Sequence, residues 1–110
     1  MDETDFVTRA DATLERIGLA LDAALETSNA VFDWSLVEGR LVVAQDEARV
    51  EVRRDVAARA LFVLTPAGEL RFLAIGGRWQ DADEELGETL ARILRTQLRV
   101  VVRMPELPAA

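Results

Sequence analysis

Residues 30–80 decide the fold: AVFDWSLVEGRLVVAQDEARVEVRRDVAARALFVLTPAGELRFLAIGGRWQ. Short apolar stretches alternate there with turn-forming pairs. Over residues 30–37, Phe32, Trp34 and Leu36 share one parity and Asp33 and Ser35 the other. That is the period-two pattern of a strand with one buried face, and it places Trp34 in the core. Glu38-Gly39 breaks the run, and residues 40–45 are rich in β-branched and aliphatic side chains. Asp46-Glu47-Ala48 turns the chain again, and residues 49–53 alternate with Val50 and Val52 on one face. Residues 60–64 are almost wholly apolar, as suits a strand at a sheet centre. Thr65-Pro66-Ala67-Gly68 carries turn chemistry, residues 69–73 alternate, and Gly76-Gly77 leads into the short strand Arg78-Trp79-Gln80. Consecutive strands joined by such tight turns make an antiparallel sheet.

Helical periodicity flanks this run. In residues 2–26, Phe6, Ala10, Leu14, Ile17, Leu21 and Leu25 recur at three- and four-residue spacing, with Asp2, Glu3 and Asp5 in the first turn, where they favour the helix dipole. In residues 84–99, Leu86, Leu90, Leu94 and Leu98 repeat every four residues, acids open the segment and Arg92, Arg95 and Arg99 lie toward its end. The order helix, strands, helix predicts an α+β two-layer sandwich. An antiparallel sheet of five to six strands has its N- and C-terminal helices on one face and leaves the other face open. Residues 1–110 form one domain, and residues 104–110 are expected to be a frayed tail.

Composition narrows the chemistry. The 110 residues include no cysteine, histidine, tyrosine or lysine; every basic side chain is an arginine. Thiol catalysis, thiolate or imidazole metal sites and Schiff-base chemistry are thereby excluded. Any metal must be held by oxygen. The net charge of −7 disfavours nucleic acid and anionic membranes, and no apolar run is long enough to span a membrane. With no secretory pattern at the N-terminus, a cytoplasmic, monomeric protein is expected. Charge is unevenly spread: residues 1–51 hold twelve acids and four arginines, residues 52–110 eight acids and nine arginines.

On a helical wheel at 100° per residue, Asp11, Glu15, Asp22 and Glu26 fall within roughly 60° of one another, about 120° from the apolar stripe. Arg9 and Arg16 project elsewhere, so the acids are not neutralised on their own helix. The pairs Asp11/Glu15 and Asp22/Glu26 each cost the helix a few tenths of a kcal/mol. Asp33 extends the line from the first strand. Such a ridge suits weak, salt-sensitive binding of hard cations; an ordinary solvated helix face is the plain alternative. Asp81, Asp83, Glu84 and Glu85 are accounted for by helix capping and dipole. Gly76-Gly77, with no Gly-Lys-Ser/Thr after it, is a turn and not a phosphate loop.

The opening Asp2-Glu3-Thr4-Asp5-Phe6, then Ala10-Asp11, Leu14, Ile17 and Leu21, resembles the start of the bacterial frataxins. Gly76-Gly77-Arg78-Trp79-Gln80-Asp81, followed by Gly87-Glu88-Thr89-Leu90 and Leu94, resembles that family's last strand and second helix. The resemblance spans nearly the whole chain. It implies a frataxin-like fold and a metallochaperone role: an iron donor and regulator of iron–sulfur cluster assembly. Iron (Fe2+/Fe3+), with other divalent cations as possible substitutes, would sit weakly on Asp11, Glu15, Asp22, Glu26 and Asp33. The implied partners are a cysteine desulfurase and an iron–sulfur scaffold protein. They would meet the open sheet at Arg53, Arg54, Arg59, Phe62 and Trp79, although a strand tryptophan beside a turn more often packs inside. The family's Asn/Gln/Pro-rich stretch and exposed tryptophan are replaced here by residues 53–62, with Phe62 at the tryptophan position.

Two other classes compete. A non-metal interaction module, similar to secretion-chaperone α/β proteins, would use the open sheet face. An enzyme is disfavoured, because no nucleophile–base pair arises from the residues present and only iron oxidation on the acidic face remains conceivable.

Overall fold

A computed structural model describes residues 1–109. The chain runs α1 (Glu3–Thr27), β1 (Asp33–Val37), β2 (Arg40–Gln45), β3 (Ala48–Asp55), β4 (Ala60–Thr65), β5 (Gly68–Ile75), β6 (Arg78–Asp81), β7 (Glu84–Glu85) and α2 (Leu86–Gln97). All seven strands form one antiparallel sheet in sequence order. At β1–β2 both turn residues have positive φ, Glu38 at 47° and Gly39 at 76°. Gly76 and Gly77 do the same at β5–β6, with φ of 59° and 77°. These left-handed pairs match the twist of the strands they join.

Strand alternation builds the core. Leu41, Val43, Val50, Val52, Leu61, Val63, Phe72 and Trp79 are buried, and the cross-strand register puts them on one face of the sheet. Both helices cover that face. From α1 come Phe6, Ala10, Leu14, Ile17, Leu21 and Ala24; from α2 come Leu86, Leu90, Ile93 and Leu94. Ala24, and not Leu25, closes the α1 stripe, because a last spacing of three keeps the 3.6-residue period on the sheet. Asp2 caps α1, its carboxylate accepting from the Asp5 amide at 2.8 Å.

Trp79 sits at the centre of the packing. Its ring meets Phe6 edge-to-face at 6.0 Å, and its indole N–H donates to Thr13 Oγ1 at 2.9 Å. The Thr13 hydroxyl in turn donates to the Arg9 carbonyl at 3.0 Å. One buried polar chain therefore ties β6 to α1.

Three expectations are corrected. The sheet has seven strands, not five to six, because Glu84 and Glu85 are extended and pair with Asp81 and Gln80. The second helix starts at Leu86, with Glu85 as its cap accepting from the Gly87 amide at 2.8 Å, and it ends at Gln97. The C-terminal segment is not frayed over residues 104–109: Leu107 and Ala109 are buried, and the Ala109 amide donates to the Gly77 carbonyl at 2.8 Å. Leu107 reaches the backbone of α2 at Gly87, where no side chain intervenes. Ala110 lies outside the described residues.

Candidate functional site

The helix stripe of α1 points its opposite edge to solvent. Glu15, Asp22 and Glu26 are exposed along it, and none has an ion-pair partner among the described residues. Asp22 is held in place: its Oδ1 accepts the indole N–H of Trp34 at 2.8 Å. Trp34 reaches it by lying across α1 at Gly18, where an added Cβ would stand 2.7 and 2.9 Å from ring carbons. Trp34 is thus only half-buried, with one edge in the core and the other on the acidic ridge.

Asp11 behaves differently. It is ion-paired with Arg54, so the first acid of the ridge is neutralised from the sheet. Arg54 also packs under the β1–β2 turn, where a Cβ on Gly39 would meet the guanidinium. Asp11, Glu15, Leu36, Glu38, Gly39 and Arg54 line a shallow recess of about 330 Å³ at this corner. Asp33 alternates with Trp34 along β1 and lies on the face turned away from α1. Among the described residues, no three acids converge where they could together hold a metal ion. The ridge is a line of separate carboxylates, with Glu15, Asp22 and Glu26 free on its exposed side.

The residues expected on the open sheet face separate into three groups. Arg53 and Phe62 do share that face, directly opposite each other in register, with the Arg53 guanidinium 5.7 Å from the Phe62 ring centroid. Arg54 does not: it pairs with Leu61 and faces α1, because β3 continues past Arg53 and parity carries residue 54 inward with Val50 and Val52. That parity is present in the sequence, and extending the strand by one residue would have found it. Arg59 lies in the β3–β4 turn, with φ of 52°, and its guanidinium donates to the Val56 carbonyl. Trp79 is fully buried and satisfied by Thr13, so it offers no surface to a partner.

Two arginines that the sequence reading passed over join Arg53 and Phe62. Register sets Arg40 opposite Arg53, and Arg71 opposite Phe62 on the other side. Arg40, Arg53, Phe62 and Arg71 therefore form one row across β2, β3, β4 and β5. Arg40 is ion-paired with Glu51 in the neighbouring row; Arg53 and Arg71 have no ion-pair partner among the described residues.

Comparison with known proteins agrees with this architecture. No curated protein matches the sequence. Among solved structures, the frataxin from Psychromonas ingrahamii, studied for stability modulation within the CyaY family, superposes with a TM-score of 0.80. It is 18% identical, and the match covers 96% of this chain and 100% of that one. At that identity the likeness speaks for the fold. A family model described as a frataxin-like domain matches residues 1–103, from ahead of α1 to just short of the docked C-terminal segment. With the seven-stranded sheet, the two helices on one face and this match over nearly the whole chain, the chain belongs to the frataxin family.

Proposed function

We propose that this chain binds iron weakly on the exposed ridge of α1 and serves as an iron donor and regulator in iron–sulfur cluster assembly. Family membership supports the role. The observation that carries the site is the set of exposed, unpaired carboxylates Glu15, Asp22 and Glu26, with Asp22 oriented by Trp34. Ferrous and ferric ions are hard enough for oxygen ligands, and the chain has no nitrogen or sulfur side chain that would hold them more firmly. Few open carboxylates release an ion readily, which suits delivery more than storage. Asp22 and Glu26, one turn apart, can share an ion, whereas Glu15, about 10.5 Å further along the helix, and Asp33, on the other face of β1, would each need another. Asp11 contributes only when Arg54 lets go.

The role is that of a binding protein, not an enzyme, and its setting is the cytoplasm. Its working form is a monomer. Its partners are a cysteine desulfurase or an iron–sulfur scaffold protein, met through the ridge and through Arg53 and Phe62 on the open sheet.

The test is an anaerobic ferrous titration followed by amide NMR and tryptophan emission. Broadening should begin at Glu15, Asp22 and Glu26, and Trp34 should be quenched while the buried Trp79 is spared. Glu15→Gln, Asp22→Asn and Glu26→Gln together should abolish both signals. Broadening that survives this triple change would remove the site assignment. No selective broadening at millimolar iron would remove the cation role and leave a non-metal interaction module using the sheet.

A further inference from the structure

We infer that the open sheet face is built to receive the α1 ridge of a second copy of this chain, giving weak head-to-tail self-association. The sheet side is the row Arg71, Phe62, Arg53, Arg40. Neighbouring strands lie about 4.8 Å apart, so these four positions fall at roughly 0, 4.8, 9.6 and 14.4 Å along a line across the strands. Like charges set directly opposite, as at Arg40 and Arg53, destabilise a sheet. Glu51 offsets Arg40 and the Phe62 ring takes the Arg53 guanidinium, but no acid of the same chain pairs with Arg53 or Arg71 among the described residues. Phe62 stands between Arg53 and Arg71, only partly covered.

The helix side has the matching order. Glu15, Leu19, Asp22 and Glu26 share one edge of α1, at rises of roughly 0, 6, 10.5 and 16.5 Å for 1.5 Å per residue. Leu19 is 71% exposed, an apolar side chain with no role in its own core. Laid across the strands, the helix brings Glu15 to Arg71, Leu19 to Phe62, Asp22 to Arg53 and Glu26 to Arg40, each within about 2 Å of register by these spacings. Arg16 and Arg103 lie on the far flank of Leu19, and Glu51 and Glu69 occupy the row beside the sheet arginines.

The two surfaces lie on opposite layers of one molecule, so the contact is heterologous and extends into short chains without closing. A net charge of −7 on each copy opposes it and keeps it weak. At working concentrations the chain remains monomeric, and both surfaces become occupied only when copies are crowded.

The experiment follows amide chemical shifts of the metal-free protein from tens of micromolar to about 1 mM, the range in which weak contacts of this kind titrate. Shifts should move together on the α1 edge and on the sheet row, and should shrink when salt is raised to 0.5 M. Arg53→Gln/Arg71→Gln alone and Glu15→Gln/Glu26→Gln alone should each lose the concentration dependence. Each of these variants keeps one surface intact, so an equimolar mixture should restore the shifts as a 1:1 complex. In that mixture, label on the arginine variant should report only at its α1 edge. Concentration-independent wild-type shifts, or a dependence untouched by either variant, would overturn the inference. Movement of sheet residues without α1 would mean a symmetric sheet-to-sheet dimer and overturn it equally. No iron is present, so the result stands apart from the ferrous titration.

Discussion

Thr13→Val tests the buried link between the helix layer and the sheet. Valine keeps the branched shape of threonine and has a similar helix propensity, so the change removes little but the hydroxyl. The indole N–H of Trp79 then loses its acceptor inside a fully buried site. An unsatisfied buried donor costs about 1–3 kcal/mol. At about 2.1 cal/mol/K per residue, the 110-residue chain unfolds with an entropy near 230 cal/mol/K, so each kcal/mol lowers Tm by about 4 °C. The expected loss in Tm is therefore about 4–13 °C, read by circular dichroism and confirmed by urea unfolding at unchanged slope. The lost Thr13-to-Arg9 bond adds little, since it only supplements a helical carbonyl. A Trp79→Phe chain carrying the same Thr13→Val change should show a much smaller further loss, because the donor is already gone. A Thr13→Val melt within 2 °C of wild type would refute the reasoning, and so would full additivity of the two changes.

Leu107→Ala should lower stability by about 2 kcal/mol, the low end for a buried leucine because the site is at the rim, and speed amide exchange at Ala109. A loss under about 0.5 kcal/mol would mean that the C-terminal segment is not docked on α2 and β6. Gly18→Ala should displace the Trp34 ring from α1 and break its bond to Asp22, shifting the Trp34 indole N–H resonance while leaving that of Trp79 in place. The helix gains about 1 kcal/mol of propensity from alanine, which offsets part of the clash and keeps the variant folded. An unmoved Trp34 resonance would contradict the close approach.

The two-layer architecture was legible because each of its signals is local. Turn pairs such as Glu38-Gly39 and Gly76-Gly77 delimit strands, period two marks Val50 and Val52, and period 3.6 marks Phe6 to Leu21. The acids of α1 were legible for the same reason, since neighbours on one helix are set by helix geometry alone. What the linear pattern did not carry was anything set between elements. Which of two adjacent arginines faces solvent depends on where β3 stops: Arg53 lies over Phe62 while Arg54 turns inward to Asp11. Glu84 and Glu85 read as a helix start, yet the free edge of β6 takes them as a strand. Residues 107 and 109 have no periodic partner in sequence, and only Gly87 and the Gly77 carbonyl give them a place. The chain by itself therefore determined the number of layers, the open sheet face and the oxygen-only chemistry, because these follow from local period and side-chain inventory. The tertiary structure decided which charges are spent inside the fold and which remain free, because ion pairing depends on distances that arise only when α1 is seated on the sheet.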